Sequence, residues 1–179
     1  MKKIIVMIIV AAFTNTIFIG KASAKVAKAS SKSKAISAII GEPTIVDSFE
    51  PASDNNTINI KALSNFKTNF EGALNEKWFI TTDGFIAKFS LANNLTRASY
   101  DQKGNWKYTL QQYNEENLPA DIRKLVRSNY YDFAITLVED IDLLNHGKYY
   151  LVHMQDATSW MNVLVHENEI TVMEVLNKS

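Results

Sequence analysis

Apolar residues recur at two different periods along this chain. Between residues 59 and 70, Ile60, Leu63, Phe66 and Phe70 fall at helical spacing, with Lys61, Ser64, Asn65 and Thr68 opposite. This predicts a short amphipathic helix, with Gly72 as its stop. From Trp78 the period drops to two. Segments 78–82 and 85–91 flank Asp83-Gly84, a strong hairpin signal. Asn93-Asn94 turns the chain into 95–100, and Lys103-Gly104 turns it into 106–113. Helical spacing returns at Leu118-Pro119, where proline suits the first turn and Asp121 suits the positive helix end. Ile122, Leu125, Val126 and Tyr130 form its stripe. Four more strand-like runs follow, at 134–140, 149–155, 160–166 and 169–176, with turns at 145–147, 156–159 and 167–168.

The order is helix, four strands, helix, four strands. A local string repeats with it. Phe66-Lys67-Thr68-Asn69-Phe70 closes the first helix and Val126-Arg127-Ser128-Asn129-Tyr130 closes the second. The expected fold is therefore α+β: a tandem repeat of helix plus antiparallel β-meander, in units 59–113 and 118–176 of a domain 58–179. The turns are too short for parallel crossovers. Two short helices need a sheet to pack on, so they are expected to cover one face and leave the other open. Ile122, Leu125 and Val126 should pack on the covered face together with Phe66 and Phe70. In 106–113, Trp106, Tyr108 and Leu110 are assigned to one face. Lys107, Thr109, Gln111 and Tyr113 are assigned to the other, wet face.

The N-terminus reads as an export signal. Lys2 and Lys3 precede an apolar stretch from Ile4 to Ile19, and Ala22-Ser23-Ala24 is a small-x-small cleavage site. Residues 1–24 are expected to be removed. Residues 25–57 form a leader, extended or disordered: its Ala, Ser and Lys start cannot bury enough surface to offset ordering. Within it, 35–49 is apolar enough to add a strand. A periplasmic or secreted bacterial protein is expected, without a stable membrane anchor after cleavage.

Composition narrows the chemistry. The chain has no cysteine among its 179 residues, which excludes disulfides, thiolate metal sites and a Cys nucleophile. Without Lys2, Lys3 and Lys21 the mature part has 16 basic against 19 acidic residues. That leaves no basic field for nucleic acid. His153 should lie beside Asn162 and His166 beside Tyr149, so the histidines do not converge on a metal. The acids at Glu115-Glu116, Glu139-Asp140-Asp142 and Glu167-Glu169 fall at strand ends or turns. Nucleophile-elbow, phosphate-loop and zinc-helix motifs are all missing. Neither an enzyme nor a cofactor is expected.

Leu118-Pro119, Val126, Tyr130, Ile135-x-Leu137 and Tyr149-Tyr150-Leu151-Val152 resemble the PepSY-like proteins of bacterial envelopes. That group is also similar in fold to the β-lactamase inhibitor protein. The resemblance covers 118–176 well and 59–113 loosely, since the first unit lacks the Leu-Pro start. It implies a tandem helix-plus-sheet fold and export, and it brings no catalytic residues.

Function is expected to reside in surface recognition. Trp78, Trp106, Tyr108, Tyr113, Tyr149, Tyr150 and Trp160 all lie on strand-like runs, more than one covered face can hide. The expected role is an exported binding module acting on a protein or a small envelope ligand. Its surface is the open sheet face, with Lys107, Thr109, Gln111, Tyr113, Tyr150 and Trp160. The alternative is an inhibitor of a secreted or periplasmic enzyme, which needs a projecting loop at 101–105 or 156–159.

Overall fold

A computed structural model describes residues 50–52 and 57–179. The signal segment 1–24 and the apolar stretch 35–49 lie outside the described residues. Those described belong to one compact unit. Their strands are β1 (Glu50–Pro51), β2 (Leu74–Thr81), β3 (Gly84–Leu91), β4 (Asn94–Asp101), β5 (Trp106–Tyr113), β6 (Ala134–Leu143), β7 (Gly147–Gln155), β8 (Ser159–His166) and β9 (Glu169–Asn177). Helix α1 (Ile60–Asn69) precedes β2, and α2 (Ala120–Asn129) precedes β6. The strands form one sheet in chain order, and every pairing is antiparallel. The fold is thus α+β, an antiparallel meander with two helices.

The two helices end in the same way. Phe70 N–H donates to the Phe66 carbonyl at 2.9 Å, and Tyr130 N–H donates to Val126 at 2.9 Å. Asn69 Nδ2 donates to the Asn65 carbonyl and Asn129 Nδ2 to the Leu125 carbonyl, each at 2.9 Å. These side chains satisfy carbonyls that a helix end leaves open. At the start of α1, Asn59 Oδ1 accepts from Lys61 N–H at 2.9 Å, a capping bond.

The side chains buried beneath the helices form two separate cores. In the first, Phe66 meets Trp78 at 5.5 Å between ring centroids and Phe89 at 4.9 Å, both edge-on. Ile58, Ala62, Ala87, Ala98 and Tyr100 complete it. In the second, Leu118, Ile122 and Val126 pack with Tyr113, Phe133, Val138, Val152, Met154, Val163 and Val165. Phe66 and Phe70 lie against the same face of the sheet as Ile122 and Val126, as the sequence had suggested, but in a separate core. The first core draws on β2, β3 and β4, whereas the second includes Tyr113 of β5 besides β6, β7 and β8. Leu125 is half-buried at the edge of the second core. Ile60 is 79% exposed, because the buried stripe runs through Ile58, Ala62 and Phe66 at steps of four.

Register rows show how the sheet passes from one core to the other. On the helix-contacting face one row reads Trp78, Ala87, Ala98, Thr109, Asp142, Lys148. It is apolar under α1 and turns polar where that helix ends. The opposite face carries Lys77, Lys88, Arg97, Leu110, Ile141 and Tyr149 in one row. Thr109, Gln111 and Tyr113 thus point to the helix side, and Tyr108, Leu110 and Gln112 away from it. This reverses the expected faces of β5. A bulge opposite Ser99 and Tyr100 makes Lys107 the extra residue and brings Trp106 to the helix side. Thr109 and Gln111 are polar because they stand between the helices, not because their face is open.

Candidate binding surfaces

Between the two cores, on the helix-contacting face, lies a polar seam. Gln111 pairs with Asp140 and Thr109 with Asp142 across β5 and β6. Asp140 accepts from the Tyr113 hydroxyl at 3.3 Å and from Lys148 Nζ at 3.1 Å. Burial, and then the Asp140 charge, push the Tyr113 phenol well above its ordinary range, so it stays a neutral donor. Tyr150 stands opposite Asp140 on β7 and packs against the second core. Trp106 Nε1 donates to Thr109 Oγ1 at 3.0 Å. A cleft of about 350 Å³ opens beside this seam, lined by Asn65, Asn69, Phe70, Trp106, Thr109 and Asp142. The structure thus gathers Thr109, Gln111, Tyr113 and Tyr150 in one region, on the face opposite to the one expected. Lys107 is exposed at the bulge and outside that group. Trp160 lies on the other face, 47% exposed, with Lys178 Nζ 5.1 Å from its ring centroid.

Among the described residues, no helix contacts that other face. Lys77 pairs with Lys88 and Lys88 with Arg97, so three cations stand side by side on β2, β3 and β4. Like charges directly opposite each other destabilise a sheet. The Lys88 ammonium is partly offset by the Phe79 ring, 4.7 Å from its centroid. Beside the row lie Leu74 and Leu95, 62% and 59% exposed. A cleft of about 130 Å³ is lined by Lys88, Leu95, Arg97, Leu110 and Gln112. Farther along, Glu139 accepts from Gln112 Nε2 at 2.8 Å, with His153 Nε2 3.9 Å away. Burial works to raise the Glu139 carboxyl, but His153, Gln112 and Arg97 outweigh it and hold it below the usual range.

Sequence reasoning missed the cation row because it depends on register. Ala92 and Asn93 both have positive φ, +49° and +65°, so they are the turn residues. The sequence had placed the turn one residue later. That slip changes every cross-strand partner. With the turn at 92–93, Lys88 falls opposite Arg97.

The loops differ in how they are held. The 101–105 turn is docked against α1: Asn59 Nδ2 donates to the Gln102 carbonyl at 3.2 Å and Lys61 Nζ to Asn105 Oδ1 at 2.5 Å. The 156–159 turn exposes Ala157 and Thr158. Asp156 Oδ1 accepts from the backbone N–H of Thr158 and of Ser159, at 2.7 and 2.6 Å, and from both hydroxyls. The expected histidine positions hold. His153 pairs with Asn162, and His166 stacks on Tyr149 with centroids 3.8 Å apart. Among the described residues no three His, Asp or Glu side chains converge as metal ligands.

Three solved structures similar to this chain come from Bacteroides. A BLIP-like protein from Bacteroides fragilis matches with a TM-score of 0.55 at 16% identity, covering 69% of this chain and 92% of that one. A DUF2874 family protein from Bacteroides ovatus matches at 0.55 and 14%, covering 68% and 88%. A candidate periplasmic protein from Bacteroides eggerthii matches at 0.52 and 13%, covering 67% and 88%. At these identities the likeness defines the fold, which is BLIP-like. No family model matches the chain, and no curated protein matches it either.

Proposed function

We propose that this protein is an exported, periplasmic or secreted module that binds another protein through the sheet face opposite the helices. The observation that carries the reading is the row Lys77, Lys88 and Arg97, set beside exposed Leu74 and Leu95. A sheet gains nothing by aligning three cations across neighbouring strands. A partner segment with acidic side chains flanked by apolar ones would meet positive potential along the row and cover the leucines. Trp160 belongs to the same face and would serve as its aromatic anchor. The cleft beside Thr109, with Gln111, Tyr113 and Tyr150 near it, is a secondary site for a small envelope ligand. Export rests on the signal pattern in residues 1–24, and the neighbour from Bacteroides eggerthii fits that location. Duplication of 59–113 and 118–176, with a helix covering one face in each, is supported by the matching helix ends and the two like cores. The PepSY-like resemblance agrees with that plan.

The test is capture from an envelope extract with the mature chain, followed by titration of each captured protein in rising salt. Arg97→Glu together with Lys88→Glu should weaken binding at least about tenfold and abolish most of its salt dependence. Undiminished binding by that variant would refute the surface.

A second reading, inhibition of a secreted or periplasmic enzyme, is favoured by the 156–159 turn. Its tip is exposed, and four hydrogen bonds to Asp156 hold it in shape before any partner arrives. Such pre-organisation lowers the ordering cost of binding. Thr158→Ala with Ala157→Glu would separate the two readings, because it spares the cation row.

A further inference from the structure

We propose that the β9 edge is the interface of a twofold dimer of this chain. Two apolar rows of the second core run out to that edge. One reads Val138, Val152, Val163, Val172, and the other Ile135, Met154, Met161, Val175. Val138, Val152 and Val163 have no exposure, while Val172 and Val175 are 47% and 51% exposed. The rows therefore end in two half-covered valines with no strand beyond them among the described residues.

The two edges of the sheet are treated differently. Next to β2 lies β1, of which two residues are described, one of them Pro51. A proline there is a usual way to block further pairing. The β9 strand is nine residues long, Glu169–Asn177, with neither proline nor glycine. A long strand of this kind with exposed valines is a template for another strand.

A second copy fits this edge by self-complementarity. The bulge opposite Asn162 and Val163 makes Met173 the extra residue. Val172 and Val175, three apart in sequence, consequently share a face. An antiparallel pairing of β9 with itself then sets Val172 of each copy against Val175 of the other. In the same register Thr171 faces Leu176 on the opposite side, and Glu169 comes to the position of Lys178, whose Nζ donates to Gln155 Oε1 and the Asp156 carbonyl of its own chain. Each match occurs twice, as an isologous interface requires. A strand without the bulge would put Val172 and Val175 on opposite faces.

The experiment is sedimentation of the mature chain across a wide concentration range, beside two variants. The unmodified chain should dimerise. Val172→Lys with Val175→Lys should weaken dimerisation at least about tenfold, because it sets two cations against two others. Its urea midpoint, extrapolated to low protein concentration, should stay close to that of the parent, since both valines are half-exposed. The chain has no cysteine, so Met173→Cys, next to the proposed axis, should form an intermolecular disulfide under mild oxidation, and Leu144→Cys should not. A chain that stays monomeric throughout, including one that binds an added extended peptide, overturns the proposal. So does a dimer that survives both lysines, or one in which Leu144→Cys cross-links as readily as Met173→Cys.

Discussion

Replacing Phe66 by alanine should be among the most damaging single changes in the first core. Phe66 is only 3% exposed. Its ring lies 4.9 Å from Phe89, 5.4 Å from Phe70 and 5.5 Å from Trp78. Truncation removes the buried ring and leaves a cavity between a helix and a sheet that cannot easily close over it. Phe→Ala changes in such sites cost about 3–5 kcal/mol, and each lost aromatic pair adds to transfer alone about 0.5–1.5 kcal/mol. The upper half of that range is expected, a large share of a typical stability of about 5–15 kcal/mol. Val126→Ala in the second core should cost roughly 1.5–3 kcal/mol, from two methyl groups and a smaller cavity. Urea unfolding followed by tryptophan fluorescence and by circular dichroism measures both. Because the two cores have no side chain in common, the double variant should add within about 0.5 kcal/mol, with Leu95→Ala as a near-neutral exposed control. A cost for Phe66→Ala below about 1 kcal/mol would refute the packing argument. Strong coupling between the two substitutions would refute the separation of the cores.

Gly104→Ala should destabilise far more than Gly147→Ala. Both glycines have positive φ, +77° and +74°, but a Cβ at Gly104 would lie 2.8 Å from the Ala62 backbone nitrogen while one at Gly147 meets nothing within 4 Å; thermal melts of the two variants should differ by several degrees, on the order of 1–2 kcal/mol. Asp101 and Asp156 are both held below the usual carboxylate range, Asp101 chiefly by the Asn105 side chain and Asp156 chiefly by the Thr158 backbone N–H. A depressed folded pKa contributes stability that is complete above the unfolded value, roughly 3.9, and is lost as pH falls through the folded one. Urea midpoints should therefore drop below about pH 4, and Asp156→Asn should make that drop shallower; an unchanged profile would count against the hydrogen bonds around the 156–159 turn.

Periodicity alone determined the order of elements, the antiparallel meander and the helix ends. These depend on neighbours in the chain: turn residues fix hairpins, and a four-residue step fixes a helix stripe. Tyr149 beside His166 and His153 beside Asn162 were likewise legible, since a short turn sets its own register. Which face of β5 the helices contact was not legible. Thr109 and Gln111 are polar in a seam between two cores, and Leu110 is buried on the face that no described helix touches. Alternation shows that two faces differ, but not which one carries a helix. The bulge at Lys107 shifts the pattern by one residue and carries Trp106 to the other face, while the turn at Ala92-Asn93 slides every partner on β3 and β4 by two residues and leaves the faces unchanged. Only tertiary pairing could therefore place Lys77, Lys88 and Arg97 in one row, since these three cations are separated along the chain and brought together by register alone.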